Sequence, residues 1–302
     1  MEEFVQHIIN GLNLGAIYAL IALGYTMVYG VLQLINFAHS EVYMVGAFAS
    51  YYGANKFGLY DNPGWSSFFM TLLISVVACS VLGLCIERFA YRPLRGAPKL
   101  NTLITAIGVS LFLQFAGQVV FGADPKLFPQ VLLDRPLENL TFGAIQVQLF
   151  DVTILSVALA AMFLLNYFIK YTKTGMAIRA VSFSFRSATL MGINVNRIVM
   201  ITFVIGSSLA GIGSVLVGLK YPKIDPLMGT LIGLKAFVAA VLGGIGNLPG
   251  AVIGGLLMGL SEEMVVGYFS STYRDALAFG LLILILLFRP SGLLGQMKVE
   301  KV

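Results

Sequence analysis

The sequence predicts an all-α fold, a polytopic transmembrane helical bundle of about eight to ten spans, and three observations carry that prediction. Hydrophobic residues make up 58% of the 302 and charged residues only 11%, with a mean hydropathy of +0.88; soluble domains carry roughly one-quarter charged residues. Nine apolar stretches lie near 8–31, 37–54, 67–88, 101–121, 151–169, 198–219, 229–243, 250–268 and 273–288. All ten prolines fall between them, as expected of helices bounded by turns, because proline lacks the N–H that a helix interior uses. The whole chain, 1–302, reads as one transmembrane domain.

Taken in order, each stretch has its own signature. The N-terminus, Met-Glu-Glu-Phe-Val-Gln-His, lacks the basic region and small-residue cleavage site of a signal peptide, so the first stretch is expected to be retained. It is rich in glycine, with Gly11 and Gly15 spaced as Gly-x-x-x-Gly. The second opens on a polar run, Asn36-Phe-Ala-His-Ser-Glu41. The third holds both cysteines, Cys79 and Cys85, which supports neither a disulfide framework nor a metal site. In the sixth, small residues recur every four positions at Gly206, Ala210, Ser214 and Gly218, and the eighth carries the pairs Gly250/Gly254 and Gly255/Gly259. Such ridges let helix backbones approach closely, within the chain or between subunits. The seventh is short and contains Lys235, which can snorkel to an interface or face a pathway.

Basic residues set the topology. The loop 88–99 holds Arg88, Arg92, Arg95 and Lys99, the loop 170–197 holds five more, and the tail from Arg289 holds three, so twelve of nineteen share one side. The positive-inside rule makes that side cytoplasmic. Asp124, Asp134 and Glu138 stand against Lys126 and Arg135 in the loop 122–150, and Glu2 and Glu3 mark the N-terminus, so both belong outside. Nine crossings then put the N-terminus outside and the C-terminus in the cytoplasm. Lys220 and Lys223 on the outer side are the weakest fit.

Residues 170–197 carry five basic residues and no acid. At about 100° per residue, Arg179, Ser182, Arg186 and Thr189 fall on one arc, with Met176, Ala180, Val181, Phe183, Ala188, Leu190 and Met191 around the rest. The pattern predicts one amphipathic helix over 174–192, capped by Thr174 and stopped at Gly192. Too short and too charged to span, it reads either as a helix on the lipid surface or as a docking element for a protein.

The chemistry of the chain excludes several classes. No phosphate loop occurs, so the chain does not hydrolyse ATP. With no metalloprotease or serine-hydrolase motif and only His7 and His39 as imidazoles, enzyme chemistry has little to work with. No metal, cofactor or nucleic-acid partner is expected. Acids inside spans are few: Glu41, Glu87, Glu262 and Glu263, with Asp275 near an outer end. Ion-coupled transport needs such groups, so the energy is expected from a partner at the docking helix, with a secondary transporter using Glu41 as the competing reading. Asn36, His39, Ser40 and Tyr43 are expected on one helix face, either lining a pathway beside Glu41 or pinning the broken helix to its neighbours. Lys235 and Asn247 are their counterparts in the second half, which is offset by five spans and so runs in the opposite direction, the inverted repeat typical of transporters.

The run Gly11-Leu-Asn-Leu-Gly-Ala-Ile-Tyr-Ala-Leu-Ile-Ala-Leu-Gly-Tyr-Thr-Met-Val-Tyr-Gly30, followed by Ile35-Asn-Phe-Ala-His-Ser-Glu-Val-Tyr-Met44, closely resembles the branched-chain amino acid ABC transporter permeases of the LivH type. The resemblance continues through Glu87-Arg-Phe-Ala-Tyr-Arg-Pro-Leu-Arg95, Met191-Gly-Ile-Asn194, Lys235-Ala-Phe-Val-Ala-Ala-Val-Leu-Gly-Gly-Ile-Gly-Asn-Leu-Pro-Gly250, Phe288-Arg-Pro-Ser-Gly292 and the ending Val299-Glu-Lys-Val302, and covers essentially the whole chain. It implies the membrane subunit of a type II ABC importer in a bacterial cytoplasmic membrane. The implied partners are a second homologous permease, two cytoplasmic ATPases and an extracytoplasmic binding protein that delivers leucine, isoleucine or valine. It also implies that 174–192 is the coupling helix, with Gly175, Arg179, Arg186, Ala188 and Gly192 at the ATPase contact. The stretch Ser182-Phe-Ser-Phe-Arg186 departs from relatives, which commonly carry acids there. The same resemblance extends to families that move urea, short amides or other amino acids.

Overall fold

Hydrocarbon offers no hydrogen bonds, so a chain this apolar must satisfy its backbone within helices, and it does. The computed structural model describes residues 2–133 and 146–295; Asp134, Arg135 and Glu138 of the loop 122–150, Lys298 and Lys301 of the tail and the ending 299–302 lie outside the described residues. The helices are α1 (Glu2–Leu32), α2 (His39–Lys56), α3 (Trp65–Cys85), α4 (Lys99–Phe121), α5 (Leu149–Tyr171), α6 (Lys173–Phe183), α7 (Phe185–Leu190), α8 (Val195–Lys220), α9 (Met228–Gly243), α10 (Leu248–Tyr268) and α11 (Arg274–Phe288). Among the described residues, seven helical segments are long and apolar enough to cross a membrane. The other two apolar stretches are α2, of 18 residues, and α9, of 16. α3 continues through a π-helical turn, Ile86–Tyr91, and a 3-10 turn, Arg92–Leu94.

α1 is the centre of the bundle. Its most apolar window is 89% buried, against 11% for that of α4 and 6% for that of the segment containing α11, as befits a helix that is apolar on every face. It packs most extensively on α10, and also on α8, α9 and α5. The small-residue ridges make this possible within the chain: a methyl on Gly15 would lie 2.7 Å from the Leu256 Cα, and one on Gly259 or Gly255 would overlap the α1 backbone at Gly15 or Ala19. The α8 ridge meets α1 at Gly206, against Gly24, and meets α2 and α3 at Ser214, where Ser75 Oγ donates to the Gly211 carbonyl (2.9 Å) and meets Ser214 Oγ (3.0 Å).

Loop contacts sort the helix ends into two sets. At one end Gln146 N donates to Gln6 Oε1 (2.9 Å), Gly64 N donates to the Val131 carbonyl (2.9 Å), and strand β1 (Lys126–Leu127) pairs antiparallel with β2 (Lys223–Ile224). At the other end Ser182 Oγ donates to the Gly30 carbonyl (2.5 Å), Arg95 donates to Asn196 (2.5 Å), and Leu293 N donates to the Leu242 carbonyl (2.8 Å). Among the described residues nine helices therefore alternate in direction, and the strand pairing puts Lys220 and Lys223 at the end shared with loop 122–133, so these two bases still run against the charge pattern.

Candidate functional site

Between α1 and α2 the chain breaks. Gln33, with φ of +54°, takes a left-handed turn, and α2 begins only at His39, so Asn36 lies in the break rather than on the helix face that the sequence predicts. Each polar residue of the run consequently has a different neighbour. Asn36 Oδ1 accepts from the Tyr91 hydroxyl (2.9 Å) beside the π-helical turn. His39 turns toward α1, its ring 4.7 Å from that of Tyr25 and against Gly24, where a methyl would overlap it. Ser40 Oγ donates to the Phe37 carbonyl (2.9 Å) and presses on Gly229 and Gly233 of α9. Tyr43 is fully buried with its hydroxyl unpartnered among the described residues. Glu41 faces a cavity of about 160 Å³ between α1, α2, α4 and α9, lined by Tyr25, Phe37, Ser110, Gln114, Leu234 and Phe237 among others, and its Oε2 has no hydrogen-bond partner there.

A second constellation lies toward the opposite end of α1. Lys235, for which the sequence leaves snorkelling or a pathway position open, is buried at 7% exposure and holds Glu262 Oε1 at 2.9 Å and Asp275 Oδ1 at 2.7 Å. An ammonium buried inside the bundle requires anionic partners. Glu262, with no exposure, also accepts from the Tyr18 hydroxyl (2.8 Å) and sits 3.0 Å from Arg274 Nε. These groups border a cavity of about 320 Å³ whose walls also include Leu14, Ile17, Val217, Met228, Leu231 and Ile232 and one further base, Lys223. Tyr221, just past α8, is another wall of the same cavity.

Next to it is a more polar basin. Lys220 Nζ contacts Asp151 Oδ1 (2.5 Å), Asn13 Nδ2 donates to the same oxygen (3.2 Å), and His7 Nδ1 lies 3.3 Å from Glu263 Oε1. Its cavities of about 130 and 340 Å³ share Asn10 and Lys220, and the first shares Leu14, Ile17 and Tyr221 with the ion-paired cavity. Sequence reasoning missed Tyr18, Asp151 and Arg274 as site residues, and used Asp275 only as an outer acid. The available signal was the rarity of ionisable residues in apolar helices, which calls for a counter-charge on another span.

The segment 174–192 folds as two helices rather than one. Ser184 is extended (φ −160°, ψ 119°) and caps α7 by accepting from Ser187 N (3.2 Å). The first helix is capped by Thr172, which accepts from Gly175 N (3.0 Å), rather than by Thr174. Serine and threonine side chains compete with helical backbone bonds in this way, which the continuous-helix projection ignores. Gly175 is buried against the Phe168 and Ile169 carbonyls, Ala188 is buried, and Gly192 ends the element at φ +80°, as expected. Arg186 is exposed, and Arg179 reaches back to the Lys170 carbonyl (3.4 Å). Met176, Phe183, Leu190 and Met191 are strongly exposed. Asn247 caps α10 through Gly250 N (3.4 Å) and donates to the Leu294 carbonyl (2.7 Å), at the same end of the bundle as α6 and α7.

A bundle of apolar helices with broken interior segments, buried charges and polar cavities along its central helix is the architecture of a membrane transport protein. The model of the family described as branched-chain amino acid transport system, permease component, matches residues 7–286, and the chain belongs to that family. It is 44% identical to the high-affinity branched-chain amino acid transport system permease protein BraD of Pseudomonas aeruginosa, over 99% of this chain and 98% of the relative. Identity to LivH of Escherichia coli is 43% over the same shares. A probable branched-chain amino acid transport permease of Methanocaldococcus jannaschii is 28% identical over 91% of this chain and 88% of its own length.

Proposed function

We propose that this chain is the membrane-spanning subunit of an ATP-driven importer that carries branched-chain amino acids across the cytoplasmic membrane. A second, homologous permease completes the pathway, two cytoplasmic ATPases supply the energy, and a binding protein delivers the solute from outside. The observation that carries the mechanism is the coincidence of the α6–α7 hairpin with the basic end of the bundle. Arg88, Arg92, Arg95, Lys170, Lys173, Arg179, Arg186, Arg197 and Arg289 gather there with Glu87 as their acid among the described residues. That asymmetry orients the hairpin toward the cytoplasm and the N-terminus outward, and the hairpin offers the ATPases exposed apolar side chains flanked by Arg179 and Arg186. Glu87 pairs with Arg95 and Arg95 with Asn196, while Tyr91 holds Asn36. These bonds join the start of α8, which follows the hairpin, to the break before α2, and give hairpin motion a route to Asn36, His39, Ser40, Glu41 and Tyr43. Proteoliposomes holding all partners are expected to accumulate labelled leucine with ATP and binding protein, and not when this chain is omitted; accumulation of urea or a short amide in place of leucine would reassign the solute.

A second reading draws on the unpartnered Oε2 of Glu41 facing a cavity, the arrangement of a proton-coupling carboxylate. Glu41→Gln is expected to leave ATP-driven uptake within about twofold of wild type. Uptake driven by a pH gradient without ATP, lost in that variant, would favour the secondary transporter.

A further inference from the structure

We propose that the ion-paired cavity between α1, α8, α9, α10 and α11 is an outer binding site for the amino acid zwitterion, in which Arg274 takes the α-carboxylate and Asp275 the α-ammonium. The inference rests on the reading of the chain as an amino acid permease and adds the residues that hold the solute. The site is built in two layers. In the buried layer Glu262 carries the Tyr18 hydroxyl, Lys235 and Arg274, and Lys235 bridges on to Asp275. This fixes the two outer groups without consuming them. Arg274 meets Glu262 as an ion pair at Nε, which makes no hydrogen bond, and among the described residues none occupies its two terminal nitrogens either. Those two nitrogens are the pair that grips a carboxylate in bidentate fashion. Asp275 is half exposed, with Lys235 at one oxygen, which leaves acceptor capacity for an ammonium.

Consecutive residues at the start of α11 thus present one positive and one negative group at the mouth of the same cavity. Lys235 and Arg274 balance Glu262 and Asp275, so the quartet is formally neutral. The four paired charges complement a zwitterion, and Lys223, which lines the same cavity, leaves its walls one positive charge in excess. Beyond the charges, Leu14, Ile17, Val217, Met228, Leu231 and Ile232 supply an apolar wall for an aliphatic side chain. The site lies at the end of the bundle opposite the α6–α7 hairpin, where solute would arrive.

The test uses the complete importer in nanodiscs without its binding protein, with labelled leucine as the probe and two competitors. One is 4-methyl-2-oxopentanoate, which lacks the ammonium; the other is 3-methylbutylamine, which lacks the carboxylate. Wild-type complex is expected to bind leucine saturably and each competitor at least roughly tenfold more weakly. Arg274→Gln should weaken leucine and the oxo acid but leave the amine unchanged, and Asp275→Asn should weaken leucine and the amine but leave the oxo acid unchanged. Should either variant fail to assemble, Leu231→Trp fills the cavity from its exposed lip without touching an ion pair, and is expected to abolish binding. Equal weakening of all three ligands, no effect of any substitution, or no saturable binding by a complex that transports leucine would overturn the site. Failure of that wild-type complex to transport leucine at all, with ATP and binding protein, would instead overturn the functional reading.

Discussion

Lys235 shows how a single buried charge organises its surroundings. Its ammonium has two carboxylates within 2.9 Å, and Glu262 has no solvent contact. Removing one member of such a group leaves the others desolvated and unpaired, at a cost of about 3–5 kcal/mol. Lys235→Met is therefore expected to lower the thermal midpoint of the purified protein sharply, and Lys235→Met with Glu262→Gln to recover part of that loss, both measured by a thermal shift assay. Equal midpoints for the single variant and wild type would show that water reaches the quartet. This residue also marks the limit of what its own sequence context reveals. A lysine in a short apolar stretch has two local outcomes, snorkelling or burial, and the carboxylates that decide between them lie 27 and 40 positions away.

At the scale of elements, the small-residue ridges are the features that the sequence makes most legible, and the structure uses them for packing inside the chain. α1 and α10 approach so closely that a side chain on Gly15 meets the backbone of Leu256. Gly15→Val is expected to destabilise the bundle by about 3 kcal/mol or more, the upper range for overpacking, and to reduce the yield of folded protein in gel filtration. Gly108→Val on α4, where a Cβ has open space, should leave that profile unchanged. The α6–α7 hairpin was less legible. Its residues, its basic character and its stop at Gly192 follow from the local pattern, but the break at Ser184 does not. A helix projection assigns every residue the same geometry, whereas Ser184 accepts from the Ser187 N–H (3.2 Å), and Ser182 spends its hydroxyl on the Gly30 carbonyl of α1. The polar arc of Arg179, Ser182, Arg186 and Thr189 is thereby divided between two helix axes.

For the whole molecule, the functional claim concerns how the two ends communicate. The basic end carries the hairpin, and the opposite end carries the ion-paired cavity and its polar basin, with α1 running between them. Arg179→Glu places a negative charge beside the last carbonyls of α5, the unfavourable end of that helix, and reverses the sign of the surface proposed to meet the ATPases. Co-purification of the ATPases and ATP-driven uptake are each expected to fall by about tenfold, while membrane insertion persists. Wild-type levels of both would remove the hairpin from the coupling route.

What the sequence determined by itself is residence in the membrane, the nine apolar segments, the two sets of helix ends and the family. These follow from hydropathy, charge bias and contiguous motifs, all of which are properties of neighbours along the chain and add residue by residue. Tertiary structure alone decided that Lys235, Glu262, Arg274 and Asp275 meet around one cavity, that Asn36 leaves the face of its helix for Tyr91, and that Asn247 caps α10. Those outcomes depend on the depth and rotation of each helix, which are fixed by how glycine and serine ridges from distant spans interlock, and a pattern read along one helix holds no record of the rotation of the next.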